Sequence, residues 1–247
     1  MKKNAKLNWV RLPIDNLENC RELGGYNTQF GQQTQWHAFL RSSEMSKLVQ
    51  EDVAFLKEYG VRTVIDLRGE DEVEKDKNPL AEEDFCKYHN IPFITHQVSD
   101  ITLSSYETSV GDFYVNLLEE NRTLKRIFDA MDQAGEGCIV FHCQAGKDRT
   151  GIIAMLLLGI AGVEKKDIVS NYEVTYTNLV DSIDPVILQG DIPDGIPKEF
   201  LYSSRDYILR AYDYILETYK SVDHYLMTKG IEQDVIERVK NRLVEYK

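Results

Sequence analysis

The stretch of sequence that decides the fold reads Cys138-Ile139-Val140-Phe141-His142-Cys143-Gln144-Ala145-Gly146-Lys147-Asp148-Arg149-Thr150-Gly151. Its first six residues are mostly apolar and include β-branched side chains, which predicts a buried strand. Apolar residues resume after Arg149 and continue to Ala161, which predicts a helix. Ala145 and Gly146 are small, so the backbone between the strand and the helix is free to curl.

Strand-like and helix-like segments alternate along the rest of the chain. A β-branched run over residues 61–68, between Gly60 and Gly69, predicts a second buried strand. We expect a third strand at 91–98, short strands and turns over 7–41, a loop at 181–197, and helices from the cap residues Ser42, Ser43 and Ser46 to Tyr59 and over 106–131, 149–161, 167–179, 205–219 and 231–246. This alternation predicts one α/β domain over residues 1–247, with a central, mostly parallel sheet of four or five strands flanked by helices.

The charge balance excludes two classes of partner. The chain has 247 residues, with 29 Lys and Arg against 41 Asp and Glu, and its net charge is −12. Double-stranded nucleic acid needs a basic footprint and an anionic membrane surface needs clustered Lys and Arg, so we expect neither partner. Half of the acidic excess lies in residues 70–84, where eight acidic residues accompany two lysines. We interpret that stretch as a solvated loop and helix surface.

Hydropathy and cysteine usage predict a cytoplasmic protein, with a secreted mature form as the alternative. The longest apolar run, residues 152–158, is far shorter than the ~20 residues of a membrane-spanning helix. No apolar segment follows the basic N-terminus as it does in a signal peptide. The four cysteines stand at scattered positions, which does not indicate a disulfide framework.

The loop between the predicted strand and helix has the features of an anion site. Consecutive N–H groups of a curled backbone form a nest for an anion, and the start of a helix adds the positive end of its dipole. This field favours the thiolate of Cys143, which is a strong nucleophile. The planar guanidinium of Arg149 can donate hydrogen bonds to two oxygens of a phosphate, and these bonds should persist in the transition state.

Two neighbouring residues have supporting roles in this interpretation. Thr150 is placed to donate a hydrogen bond to the sulfur and stabilise it as a leaving group, or to accept a proton from water. We expect His142 to hydrogen-bond backbone near the loop and fix its shape, rather than to transfer protons.

The pattern His-Cys-x5-Arg-Thr, here His142 to Thr150, is the signature of the cysteine-dependent protein tyrosine phosphatases. The longer run to Gly151 resembles a bacterial branch of tyrosine and phosphoinositide phosphatases. Three other stretches are similar to that branch in order and spacing: Asn19-Cys20-Arg21-Glu22-Leu23-Gly24-Gly25, Leu40-Arg41-Ser42-Ser43 and Gly60-Val61-Arg62-Thr63-Val64-Ile65-Asp66-Leu67-Arg68. The resemblance covers most of the chain and is least clear after about Asp181.

The resemblance implies a phosphomonoester hydrolase that needs no metal or cofactor and acts on phosphotyrosine proteins, with phosphoinositides or inositol phosphates as further substrates. Cys143 would attack phosphorus and form a cysteinyl-phosphate, while a general acid protonates the departing oxygen and later activates water. The phosphate would be held by Arg149, by loop N–H groups and by Gln144, Ala145, Gly146, Lys147 and Thr150. A thiolate working with a protonated acid predicts a mildly acidic pH optimum.

The general acid has three candidates. The sequence has no Trp-Pro-Asp, the motif that would place the acid on a separate loop. In the resembling branch an Asp at the position of Asp148 is the proposed acid. Asp100 is the second candidate and Asp66 the third. Asp148 could instead only orient Arg149 or form a salt bridge.

Two features bear on the substrate. Lys147 would bind additional phosphates of an inositol ring, as the resemblance implies, or would be a solvent-exposed cation that raises the local potential. The C-terminal helices, from about residue 200 to 247, would form a lid, as they do in some members of the branch. Their tyrosines are otherwise explained as packing residues.

Two alternatives stay open. The first is a catalytically inactive phosphate-binding module of the same fold, although intact Cys143 and Arg149 favour the enzyme. The second is a reversible disulfide from Cys138 or Cys20 to the nucleophile. Residues five apart on a strand point to opposite faces, so we expect Cys138 to be buried and inert.

Overall fold

A five-stranded sheet forms the centre of the molecule in the computed structural model, which describes residues 3–93, 109–120, 122–190, 192 and 197–244. The strands are β1 (Arg21–Glu22), β2 (Phe39–Ser42), β3 (Val61–Asp66), β4 (Lys87–Asn90) and β5 (Cys138–His142), in the order β1-β2-β5-β3-β4. β1 pairs antiparallel to β2, and the other three pairings are parallel. The predicted α/β class and mostly parallel sheet are confirmed.

Helices flank this sheet. In chain order they are α1 (Gln50–Tyr59), α2 (Glu70–Lys75), α3 (Val110–Glu120), α4 (Leu124–Asp132), α5 (Asp148–Ile160), α6 (Lys165–Gln189), α7 (Arg205–Tyr219), α8 (Val222–Thr228) and α9 (Gln233–Leu243), with short 3₁₀ turns at Pro79–Glu82 and Lys198–Leu201. No helix in the described ranges is long and apolar enough to cross a bilayer.

The central strand β5 separates two hydrophobic cores. Ile139 and Phe141 point into the larger core, and Cys143, just beyond the strand, belongs to the same core. Cys138 and Val140 point into the smaller core on the other face. Cys138 and Cys143 therefore lie on opposite sides of the sheet, as the strand period predicts. All four cysteines are free.

Helix α5 begins where the sheet ends. Its side chains from Thr150 to Leu158 are all buried, and Ile160 is buried as well. A helix that is apolar on every side has protein on every side. Burial therefore fixes the N-terminal end of α5 against the carboxyl end of β5, with the loop 143–147 between them.

Three predicted segments in the first half differ from the structure. The cap residues Ser42, Ser43 and Ser46 expected for the first helix are wrong, because α1 begins at Gln50 after Val49, Ser42 ends β2, and the Ser43 hydroxyl donates to the Glu18 carbonyl.

The strand expected at 91–98 is wrong for 91–93, and 94–98 lie outside the described residues. The fourth strand is β4, whose polar sequence Lys87-Tyr88-His89-Asn90 shows no apolar pattern, because it is an edge strand defined by its pairing with β3. The helix expected at 106–131 is two helices, α3 and α4, and its first three residues also lie outside the described part.

Two predicted segments in the second half also differ. The loop expected at 181–197 is wrong over 181–189, because α6 continues to Gln189 with Pro185 inside it. Proline removes one backbone donor, and the residues around Pro185 are exposed or half-buried, so water can reach the carbonyl that loses its partner. Gly190 ends the helix at a φ of 74°. The helix expected at 231–246 is α9, two residues shorter at its start, and α8 precedes it.

The C-terminal helices contribute to the larger core. Ile208 and Ile215 of α7, Leu226 of α8 and Ile236 of α9 are each at most 1% exposed. These helices therefore do structural packing in the described chain, whatever they also cover.

Candidate active site

The loop from Cys143 to Arg149 joins β5 to α5 at the carboxyl edge of the sheet. Cys143, at the base of the loop, is 2% exposed, whereas Gln144 and Ala145 are exposed. Gly146 has a φ of 67°, and a Cβ atom there would lie 2.4 Å from the carbonyl oxygen of Ser42. Only glycine lets the loop pass this close to the end of β2.

Side chains outside the loop hold its carbonyl groups. Asn19 Nδ2 donates to the carbonyls of Ala145 and Gly146, at 3.0 and 3.1 Å. Arg41 Nη2 also donates to the Gly146 carbonyl, at 2.8 Å. In a trans peptide the N–H points away from the C=O, so the N–H groups of Gly146 and Lys147 face the inside of the loop. Inward N–H groups are what the predicted anion nest requires.

A buried polar network anchors those two supports. Arg41 is 0% exposed and its Nη1 donates to Asn171 Oδ1 at 2.6 Å. Arg21 donates to the Asn171 carbonyl at 2.7 Å and to Thr175 Oγ1 at 2.8 Å, and also to Asn19. Burial lowers the pKa of Arg41 to about 10. Arg21 and Arg41 therefore support the loop from the interior. In the sequence, each is a charged residue within a segment that is otherwise buried.

Arg149 is paired with a carboxylate from another element. Its Nη1 lies 2.6 Å from Glu72 Oε2 and its Nη2 lies 2.8 Å from Glu72 Oε1. Glu72 also accepts from the backbone N–H of Gly69 at 2.8 Å, in the third-residue position of a capping box on α2. Burial alone would raise the pKa of Glu72, but the hydrogen bonds and charge of Arg149 outweigh it and the pKa is lowered.

The solvated interpretation of residues 70–84 is therefore wrong at Glu72, which is part of the site. The available signal was the glutamate three residues after Gly69, a capping pattern that keeps the side chain near the helix start.

Comparisons with known proteins identify the family. A sequence profile described as “Tyrosine phosphatase family” matches residues 12–245. The chain belongs to the tyrosine phosphatase family. It is 32% identical over 220 residues to a tyrosine-protein phosphatase of Nostoc commune, covering 83% of this chain and 74% of that protein. The loop from Cys143 to Arg149 is from here on the phosphatase loop.

Two further matches are more distant. Triple specificity protein phosphatase PtpB of Mycobacterium tuberculosis is 24% identical over 254 residues, covering 83% of this chain and 90% of that protein. A crystal structure of TpbA from P. aeruginosa covers 92% of this chain and 99% of that one, with 15% identity and a TM-score of 0.44.

Lys147 of the phosphatase loop is buried rather than solvent-exposed. It is 3% exposed, and its Nζ donates to the carbonyl of Phe200 and, at 3.1 Å, to that of Tyr202. The ammonium also lies 3.3 Å from Asp148 Oδ1. The prediction of a solvated cation is wrong, because these three oxygens take the hydrogen bonds that water would otherwise make.

Asp148 opens α5 beside the phosphatase loop, and its side chain is 29% exposed. The hydroxyl of Tyr114 lies 2.5 Å from its Oδ1. Asp148 is therefore both accessible and held by hydrogen bonds. Asp100 lies outside the described residues.

Asp66 has a different environment. It pairs with Arg68 at 2.7 Å, and both side chains are 0% exposed. Tyr88 Oη donates to it at 2.7 Å. Burial alone would raise the pKa of Asp66, but the His142 ring, whose Nε2 lies 3.4 Å from Oδ2, outweighs burial together with Arg68 and Tyr88, and the pKa is lowered. Asp66 is thus a sealed, ionised group that stabilises the end of β3.

His142 holds the backbone, as its position in the sequence predicts. Its Nδ1 lies 3.2 Å from the carbonyl of Cys143, and its Nε2 lies 3.0 Å from Asn78 Nδ2. A carbonyl only accepts, so Nδ1 carries the proton and Nε2 accepts from the Asn78 amide. Burial lowers the pKa of His142, which keeps the ring neutral in this role.

Thr150 stands one residue beyond the phosphatase loop. Its Oγ1 is buried and has no hydrogen-bond partner among the described residues. A buried hydroxyl without a partner is free to donate to a ligand or to the sulfur. Within the same ranges, no three His, Cys, Asp or Glu side chains lie together as a metal site would need.

Proposed function

We propose that this protein hydrolyses phosphotyrosine in proteins through a cysteinyl-phosphate intermediate on Cys143. The observation that carries the proposal is the phosphatase loop itself. Its carbonyls are held from outside by Asn19 and Arg41, so its N–H groups are preorganised around an anion with a buried cysteine sulfur at the base. Preorganised donors stabilise a phosphoryl transition state without having to rearrange during reaction.

The first step transfers the phosphoryl group to sulfur. The Cys143 thiolate forms the S–P bond as the P–O bond to the tyrosine ring breaks, and Asp148 gives its proton to the departing phenolate oxygen. In the second step the Asp148 carboxylate takes a proton from water, whose oxygen attacks phosphorus. The P–S bond breaks, inorganic phosphate leaves and the thiolate is restored, with the unpartnered Thr150 hydroxyl donating to the sulfur.

Arg149 has a free edge for the phosphate. Glu72 occupies the two terminal nitrogens of the guanidinium end-on. The side edge, formed by Nε–H and the second N–H of Nη2, makes no hydrogen bond to the described residues. Two parallel N–H groups match two phosphate oxygens, so Glu72 orients the fork while the side edge binds substrate.

The depth of the sulfur favours an aryl phosphate. Cys143 is only 2% exposed. A phosphate on the long tyrosine side chain reaches its sulfur more readily than a phosphate on the short serine side chain. Phosphoserine and phosphothreonine are therefore secondary substrates in this proposal. Because Cys143 must stay reduced to react, four free cysteines fit a reducing cytoplasm.

Phosphoinositides or inositol phosphates are the second substrate class. The feature that would serve them is the Lys147 ammonium, but it already donates to the carbonyls of Phe200 and Tyr202. To reach a second phosphate it would have to leave both. We therefore place phosphotyrosine first, and a substrate panel with Lys147→Ala tests the order. Loss of inositol-lipid turnover alone in that variant would reverse it.

The central experiment measures hydrolysis of p-nitrophenyl phosphate and of a phosphotyrosine peptide in the presence of EDTA. Wild type should turn over both, because this chemistry draws its charge from Arg149 and the loop amides rather than from a metal. Cys143→Ser should abolish turnover. Cys138→Ala, on the same strand but the opposite face, is the matched control and should retain it. Phosphate binding by a wild-type protein with no turnover would instead establish the inactive binding module.

A further inference from the structure

A line of three oxygens runs from the core to the phosphatase loop. Tyr172 Oη lies 2.6 Å from Tyr114 Oη, which lies 2.5 Å from Asp148 Oδ1. Tyr114 and Tyr172 are 0% and 1% exposed. We infer that these two tyrosines are positioning residues for the general acid, and that the proton Asp148 transfers is carried on its Oδ2. The inference rests on the proposed function.

The direction of the hydrogen bonds follows from the number of protons available. Burial raises the pKa of Tyr114 and of Tyr172 well above the usual range, so both hydroxyls keep their protons. Each hydroxyl has one proton to donate. An ionised Asp148 can only accept, so Tyr114 donates to it. Tyr172 must then be the donor to Tyr114, and the chain points toward the carboxylate.

The two oxygens of Asp148 are not equivalent. Oδ1 accepts from Tyr114, and the Lys147 ammonium lies 3.3 Å from the same oxygen. Among the described residues, no hydrogen bond reaches Oδ2. A proton on Oδ1 would have to compete with both donors, so Oδ2 is the atom that holds the transferable proton. Fixing one oxygen from the core leaves the other free to face the leaving group.

Rigid elements supply both tyrosines. Tyr114 belongs to α3 and Tyr172 to α6, and their rings pack edge to face with centroids 6.0 Å apart. Asp148 is the first residue of α5. The carboxylate on α5 is thus held by Tyr114 of α3, which Tyr172 of α6 supports, rather than by a separate loop, and a proton donor held at one geometry needs no ordering step during catalysis.

The groups around Asp148 come from several elements. The Lys147 ammonium lies 3.3 Å from its Oδ1, and the Tyr114 hydroxyl from α3 reaches the same oxygen, with Tyr172 of α6 behind it. Tyr114→Phe therefore removes the hydrogen bond that holds this oxygen from the core.

The test compares Tyr114→Phe with wild type on two substrates. p-Nitrophenolate is a weak base that leaves without protonation, whereas the tyrosine phenolate needs the acid. We expect kcat for the phosphotyrosine peptide to fall about tenfold, and kcat for p-nitrophenyl phosphate to fall less than about twofold.

Tyr225→Phe is the matched control. Tyr225 is also 0% exposed, and its hydroxyl donates to the Leu118 carbonyl at 2.8 Å, away from the loop. It should lose similar thermal stability with no change in the ratio of the two substrates. Tyr172→Phe, which breaks only the outer link, should change the ratio in the same direction as Tyr114→Phe and by less. It also provides a second reading if Tyr114→Phe folds poorly.

The outcomes distinguish the positioning role from the proposed function. An unchanged substrate ratio in Tyr114→Phe, with wild-type turnover intact, overturns the positioning role alone. A wild type that hydrolyses neither substrate overturns the proposed function and the positioning role with it. Asp148→Asn should lower kcat for the phosphotyrosine peptide far more than kcat for p-nitrophenyl phosphate, and if it does not, the acid lies elsewhere.

Discussion

The site region contains two arginine–carboxylate pairs that are similar in chemistry and opposite in setting. Arg68 and Asp66 meet at 2.7 Å with both side chains 0% exposed. Arg149 and Glu72 meet at 2.6 Å with side chains 11% and 35% exposed. The first pair is sealed within the protein. In the second, Arg149 Nη1 also lies 3.5 Å from the Leu67 carbonyl, but the side edge of the guanidinium makes no hydrogen bond to the described residues.

The remaining partners explain the difference. Arg68 Nη1 donates to the Asp76 carbonyl at 2.9 Å, and Asp66 also accepts from Tyr88 and from the Arg68 backbone N–H. That pair therefore ties two segments after β3 together, and its burial leaves no access for a ligand. Arg149 keeps its side edge, so the same type of ion pair stabilises the fold in one place and, in the proposed function, orients a phosphate-binding group in the other.

Asp66→Asn should cause the largest loss. It leaves the buried Arg68 charge without a counter-ion, which costs about 3–5 kcal/mol of the free energy of unfolding. Urea unfolding at neutral pH measures it. The control is Asp132→Asn, which breaks the more exposed bidentate pair with Arg238 and should cost less than about 1 kcal/mol. Equal losses for the two variants would mean that the Arg68–Asp66 pair is not the tie described above.

Arg149→Lys should cause a large loss of activity with little loss of stability. Lysine keeps the charge but loses the fork that holds both Glu72 and the phosphate. We expect kcat/KM for p-nitrophenyl phosphate to fall about 10²- to 10³-fold, with the free energy of unfolding within about 1 kcal/mol of wild type. Arg238→Lys, remote from the loop, should leave kcat/KM unchanged. A loss below tenfold for Arg149→Lys would show that point charge suffices.

Glu72→Gln separates orientation from competition. If Glu72 aligns the guanidinium, its neutral replacement should lower kcat/KM and weaken competitive inhibition by inorganic phosphate, each by about tenfold. Tighter phosphate binding would show the opposite, that Glu72 competes with the substrate for Arg149. Glu74→Gln, on the exposed side of the same helix, is the control and should change neither quantity.

The contrast between local and distant residues also explains what the sequence could predict. Cys143, Asp148, Arg149 and Thr150 lie in one continuous motif between a buried strand and a buried helix, so pattern and chemistry locate them together. Glu72 is 77 residues from Arg149. The pairing of such distant residues depends on the packing of α2 against the loop, which no local pattern contains.

The fold shows the same division. β5, α5 and α7 were predicted to within one or two residues, because apolar periodicity and glycine or polar boundaries define them locally. β4 was displaced because a half-exposed edge strand is selected by its neighbour β3 and not by its own sequence. The continuation of α6 past Pro185 was missed for a related reason: a proline breaks a helix only where the surroundings do not tolerate one lost hydrogen bond.

The change in the free energy of unfolding on acidification is the smallest of the expected effects. It also distinguishes the Arg68–Asp66 pair from the Arg149–Glu72 pair. In both Asp66 and Glu72 burial would raise the pKa, but the arginine partner and other donors outweigh it and the folded pKa is lowered. Such a group stabilises the fold fully above its unfolded pKa, about 3.9 for Asp and about 4.3 for Glu, and the contribution fades as pH falls through the folded value.

The stability gap between wild type and Glu72→Gln should therefore be under about 1 kcal/mol at pH 7, because the pair is partly solvated, and should close below about pH 4. The gap for Asp66→Asn starts much larger and should narrow by only about 1 kcal/mol by pH 3, because a contribution of that size is lost mainly at still lower pH. Urea unfolding from pH 7 to pH 3 measures both. A Glu72→Gln gap that widened on acidification would mean that Glu72 is destabilising when ionised, and that its place beside Arg149 is maintained by the capping of α2 rather than by the ion pair.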